Sequence, residues 1–124
     1  MQLKIHPNLF CICRLGAEEN MPAWATCGTY FSITRTMEEL SIVCEQDAVP
    51  PEVVAERNWH LISIAQKLDF SLTGILASIA NPLAAAGISI FVVSTFNTDY
   101  FLVKSRNFDS ACNVLLESRF TFIE

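Results

Sequence analysis

Two short polar stretches in the second half of the chain carry the residue types that chemistry needs. The first, Ser71-Leu72-Thr73-Gly74, stands directly before or at the first turn of a predicted amphipathic helix. The opening N–H groups of a helix lack internal partners, and the macrodipole adds partial positive charge there. A carboxylate is a natural guest at such an end, and Gly74 would let it approach the backbone. The competing reading is that Ser71 or Thr73 simply caps the helix. The second stretch, Ser94-Thr95-Phe96-Asn97-Thr98-Asp99, falls where one predicted strand turns back into another. Asn97 suits the turn, Asp99 could hold an ammonium group, and Thr95 and Thr98 could bond a ligand's polar atoms. Here the competing reading is a solvated hairpin in which Asp99 satisfies turn amides. Taken together, one patch favours an anion and the other offers an acid to a cation. If the loops adjoin, the expected ligand class is a zwitterionic α-amino acid.

The elements that must position these loops follow from pattern. Residues 59–68 read as a strand and 73–86 as a helix. Leu72, Ile75, Leu76, Ile79 and Leu83 share one helical face, predicted to pack on a sheet. Asn81-Pro82 predicts a kink, because proline removes a donor and crowds the previous turn. Gly87 is placed to end the helix in a left-handed conformation. Strands at 88–95 and 100–104, a helix at 109–117 and a strand at 119–123 complete a βαββαβ order. That order is the ferredoxin-like arrangement of the α+β class, an antiparallel sheet with helices on one face.

The first half is strand-rich. Strands are expected at 9–15, 29–34 and 40–45, with a short helical turn from Pro22 to Trp24 and a capping-box turn at 36–39. Pro50-Pro51 breaks the chain, and 52–56 forms at most a brief helix. The predicted boundary lies at about 49–58. It divides the chain into a first, shortened module (1–57) and a second, complete one (58–124).

Bulk properties exclude several functions. The chain has 124 residues, 52% of them hydrophobic with nine Phe, enough for a core without covalent staples. Its net charge is −5 with no cluster of Lys or Arg, which argues against nucleic acid as a partner. The longest apolar run, 83–93, is well short of the ~20 residues that span a bilayer. No signal-peptide pattern opens the sequence, and the five cysteines are expected as reduced thiols in a cytoplasmic protein. Cys11 and Cys13 share one face of a strand. With His6 and His60 as the only histidines, no metal site is expected, and Cys27, Cys44 and Cys112 also read as packing residues. No signature of a thiol nucleophile surrounds any cysteine. Glu18-Glu19 and Glu38-Glu39 read as solvated turns rather than acid–base pairs, so neither an enzyme nor a cofactor is expected.

The segment 71–104, SLTGILASIANPLAAAGISIFVVSTFNTDYFLVK, resembles the ACT domain, in the subfamily of CASTOR-type arginine sensors and small bacterial ACT-domain proteins. Phe31-Ser32-Ile33-Thr34-Arg35-Thr36, the run Glu39 to Cys44, and Pro50 are similar to the same subfamily. The resemblance implies two ACT-like modules in tandem, with a ligand held between modules near the glycine turn and the Ser-Thr-x-x-x-Asp hairpin. It implies ligand-binding roles for Ser71, Thr73, Gly74 and Ile75, and for Thr95, Phe96, Asn97, Thr98 and Asp99. Where the arginine sensors place an acid shortly after the glycine, this chain has ILASIA at 75–80, which removes an expected guanidinium partner. Those sensors also carry more modules, so the resemblance implies a pocket that needs another subunit. The functional expectation is a non-enzymatic regulatory module that senses an amino acid as a homodimer. The alternative is a dimerising interaction module with no small-molecule ligand.

Overall fold

In the computed structural model, which describes residues 1–123, the chain order is strands β1 (Gln2–Ile5), β2 (Phe10–Leu15), β3 (Ser32–Arg35), β4 (Leu40–Glu45) and β5 (Ala55–Ile64), then helix α1 (Ile75–Ala85). Strands β6 (Phe91–Ser94) and β7 (Asp99–Lys104), helix α2 (Phe108–Glu117) and strand β8 (Thr121–Ile123) follow. Contacts divide the chain into a unit of residues 1–7 with 60–123 and a unit of residues 8–59.

The 8–59 unit pairs β3, β4, β2 and the start of β5 in that order, all antiparallel. Cys11 lies opposite Cys44 and Cys13 opposite Ile42. These four pack with Ala25, Leu40 and Val49 into a buried cluster. The only helical pieces among its described residues are 3-10 turns at Ala23–Thr26 and Gln46–Ala48. The first is the helical turn expected after Pro22. The brief helix expected at 52–56 is replaced by a turn and the start of β5, a strand longer at its N-terminus than the pattern suggested.

The larger unit contains the expected βαββαβ order as β5, α1, β6, β7, α2 and β8. Its sheet is mixed rather than wholly antiparallel. Strand β1 pairs antiparallel with β5, Leu3 opposite Ile64, and parallel with β8, Leu3 opposite Phe122. On the other edge β7 joins β5 and β6. A four-residue QLKI run carries too little pattern to be read as a strand without its neighbours. Leu3 and Ile5 nevertheless pack with Ile62, Ile64, Phe101 and Val103 of the sheet.

Both helices cover that core. Ile79 and Leu83 of α1 and Ala111 and Leu115 of α2 are fully buried in it. Burying each aliphatic side chain of this size contributes roughly 1.5–3 kcal/mol. Leu72 is not part of this face. It precedes the helix and is 51% exposed. Helix α1 continues through Pro82 to Ala85 and closes in a Schellman arrangement. There Gly87 (φ 76°) donates to the Ala84 carbonyl and Ile88 to the Leu83 carbonyl. Helix α2 ends the same way, with Arg119 (φ 74°) in the left-handed position and Phe120 donating to Leu115.

Candidate functional site

Two loops of the larger unit meet. The segment after β5 is tied to the β6–β7 hairpin by the Leu68 N–H, which donates to the Asn97 carbonyl at 2.7 Å. Between them opens a cavity of about 270 Å³. Of the residues expected to bind ligand, Gly74, Ile75, Thr95, Phe96, Asn97, Thr98 and Asp99 line it, and Ser71 and Thr73 do not. Leu68, Asp69, Phe70, Leu72, Leu76 and Ser94 complete the wall.

Ser71 is engaged elsewhere. Its N–H and its hydroxyl both donate to Oδ1 of Asp69 at 2.8 Å. Those bonds, the backbone one first, hold the Asp69 carboxyl below its ordinary pKa. Neither Ser71 nor Thr73 caps α1. Gly74 occupies the N-cap position at φ 78°, where it has no side chain to cap the helix. The first intrahelical bond runs from the Ser78 N–H to the Gly74 carbonyl, so the N–H groups of residues 75–77 lie in the uncapped turn. Glycine is favoured here by its positive φ. A Cβ at this position would meet no atom within 4 Å.

The hairpin satisfies its own turn. The Thr95 N–H and hydroxyl both donate to the Thr98 carbonyl at 2.9 Å, and the Thr98 N–H donates to Thr95 Oγ1 at 3.3 Å. The Thr98 hydroxyl donates to the Ile64 carbonyl. The hydroxyl protons of Thr95 and Thr98 are therefore spent within the chain, and toward a ligand these oxygens offer lone pairs only. Asp99 opens β7 opposite Ser94 and is half-buried. No hydrogen bond or ion pair among the described residues engages its carboxylate. The turn amides that Asp99 was weighed to satisfy are taken by the threonines instead.

The mouth of the cavity is apolar. Phe70 and Phe96, 74% and 73% exposed, meet edge to face with ring centroids 4.8 Å apart. The arrangement offers backbone donors and a helix dipole for an anion, one uncommitted carboxylate for a cation, and an apolar wall between Leu68 and Leu76. Asp69 is the lining residue that pattern reading passed over. Its Asp-x-Ser spacing to Ser71 is the signal of an Asx turn. Among the described residues, no group of three or more His, Cys, Asp or Glu is arranged to hold a metal ion. No helix among them is long and apolar enough to cross a membrane.

Comparison with known proteins gives a consistent family. The ACT-domain profile matches residues 54–117, and a separate profile of an N-terminal domain matches residues 8–52. The human cytosolic arginine sensor for mTORC1 subunit 1 is 36% identical over 95 residues, covering 70% of this chain but 29% of that protein. The chain thus spans under a third of that relative's length. Protein Atu0741 from Agrobacterium tumefaciens superposes at TM-score 0.93 with 40% identity, over 98% of this chain and 91% of that one. The regulatory subunit of aspartate kinase from Thermus thermophilus, in its ligand-free form, superposes at TM-score 0.64 with 10% identity, over 94% and 96% of the two chains. That last likeness is one of fold alone.

Proposed function

The chain belongs to the ACT-domain family of non-catalytic regulatory modules, and from that premise we propose that it binds a free amino acid in the cavity between the 68–76 segment and the 94–99 hairpin. The α-carboxylate lies against the N–H groups of residues 75–77, where it satisfies orphan donors and the helix dipole. The α-ammonium lies on Asp99. The ligand's side chain lies along the apolar wall that includes Ile75 and Phe96. The observation that carries this reading is the pairing, in one cavity, of a helix start with no side-chain cap and a carboxylate with no partner.

In this reading Gly74 and Ile75 serve through their backbone, Asn97 and Thr98 shape the wall, and Ser71 acts only through the Asp69 turn. Thr73 has no part beyond the approach to Gly74. The protein works in the cytoplasm as a homodimer, and the regulated partner binds the ligand-dependent state. The 8–59 unit serves in this reading as the first, shortened ACT-like module. A thermal-shift screen against the twenty amino acids tests the proposal, since a ligand of the native state must raise the Tm. A hit that is lost in Asp99→Asn supports it; silence across the panel at millimolar concentration contradicts it.

A second reading is favoured by Phe70, Leu72 and Phe96 at the cavity mouth, large apolar side chains that water does not reward. Here the module dimerises through that mouth without a small-molecule ligand. Light scattering separates the two. A dimer that Phe96→Ser dissociates, together with silence in the screen, selects the second reading.

A further inference from the structure

A second cavity of the larger unit shares Asn97 and Thr98 with the first and has the opposite electrostatic character. It is an open groove of about 330 Å³ lined by Lys4, His6, Ser63, Lys67 and Tyr100 among others, with no carboxylate in its wall. That composition stands out in a chain with 13 Asp and Glu against 8 Lys and Arg. Neither lysine is ion-paired among the described residues.

The wall is fixed from several sides. Ser63 is 5% exposed, a buried hydroxyl in β5 between Ile62 and Ile64, and His6 Nε2 lies 2.8 Å from its oxygen. The His6 ring also lies 6.0 Å from that of Tyr100. The backbone around it is tied down by bonds from the His6 N–H to the Leu61 carbonyl and from the Ala65 N–H to the Gln2 carbonyl, both 2.9 Å. Thr98 is held to Ile64 through its hydroxyl. Burial, and then the charge of Lys4, keeps the His6 imidazole below its ordinary pKa, so near neutral pH the ring is uncharged. Lys4 and Lys67, both exposed, share this wall with no acid in it to balance them.

We propose that this cavity is a binding site for a small oxyanion, held by the ammonium groups of Lys4 and Lys67 and by His6 in its imidazolium form. The anion supplies the missing negative charge, and each of the three side chains can donate to it. The site is independent of the amino-acid reading and stands whether or not that reading holds.

The two histidines of the chain make the test internal. His6 reports the cavity, while His60, stacked on Phe108 with centroids 4.0 Å apart, lies outside its wall and serves as the control. Sulfate is the probe, because its charge is constant across the titration of histidine. The histidine ring protons are followed by NMR from pH 5 to 8, with sulfate raised to about 20 mM, above a millimolar Kd, against chloride at matched ionic strength. The expected result is a rise of roughly one pH unit in the His6 midpoint with His60 unmoved. Lys67→Met, at an exposed position, should cut that rise at least severalfold. Equal movement of both histidines, the same movement in chloride, or no movement of His6 would overturn the proposal. A Lys67→Met variant that responds as fully as wild type would overturn it too, leaving an adventitious ion only.

Discussion

The two ends of helix α1 are built on opposite plans. At its C-terminus Gly87 and Ile88 donate to the carbonyls of Ala84 and Leu83, and Ile88 is buried against the core. At its N-terminus no side chain caps the first turn, Gly74 stands in a left-handed conformation, and the neighbouring residues are exposed. Serines and threonines are at hand there, yet Ser71 is spent on Asp69, Thr95 on the Thr98 backbone and the Thr98 hydroxyl on the Ile64 carbonyl. One end is finished by the fold. The other is left with orphan donors that something outside the chain can satisfy. In the proposed reading, the difference separates an end that serves stability from one that serves binding.

Substitutions can sharpen that contrast, beginning with the closed end. Leu83→Ala removes a fully buried side chain beneath the Schellman turn. It should cost about 2–5 kcal/mol in urea unfolding, because the core relaxes only partly into the cavity. Gly87→Ala places a Cβ at φ 76° with no atom within 4 Å to clash. The cost is then conformational only, about 1 kcal/mol, and a loss several times larger would mean that the turn does more than end a helix. The corresponding site of α2 offers the reverse experiment. Arg119 sits at φ 74° in the same motif, so Arg119→Gly should stabilise the protein by a few tenths to about 1 kcal/mol. A destabilised variant would show that the arginine side chain outweighs its backbone strain.

The smallest expected effect is on pH dependence. Burial lowers the pKa of both His6 and His60 in the folded state. The unfolded chain therefore binds more protons between the folded and unfolded values, and stability falls as pH drops below about 6.5 toward the lowered folded values. Both rings are substantially solvated, so the loss should be slight. A Tm that rises as pH falls from 7 to 5.5, in wild type but not in a His6→Gln, His60→Gln double variant, would reverse the sign of the argument.

Much of this was legible in the sequence because it is local. The spacing of Ile75, Ile79 and Leu83 exposes the buried face of α1, and Gly87 announces its end. The βαββαβ order follows from alternating periods along 59–123. Strand β1 was not legible, because its four residues gain meaning only between β5 and β8. Its parallel pairing with β8 is also what turns an expected antiparallel sheet into a mixed one. The meeting of the two loops rests on contacts between residues far apart in sequence, the Leu68–Asn97 bond and the Phe70–Phe96 ring pair. Residue types could nominate Ser71 and Asp99 alike, but only geometry separates them. Ser71 is consumed by a neighbour, and Asp99 is left open to the cavity.

The measurement that tests the central claim most directly is calorimetric titration of the purified protein with the amino acid that raises its Tm most, repeated on Asp99→Asn and followed by amide NMR. The account predicts shifts at the N–H groups of residues 75–77 and at the 95–99 hairpin, with affinity at least tenfold weaker in the variant. That is the loss expected when a charge-assisted bond to the ammonium is removed. Undiminished affinity in Asp99→Asn, or shifts that avoid the first turn of α1, would contradict it.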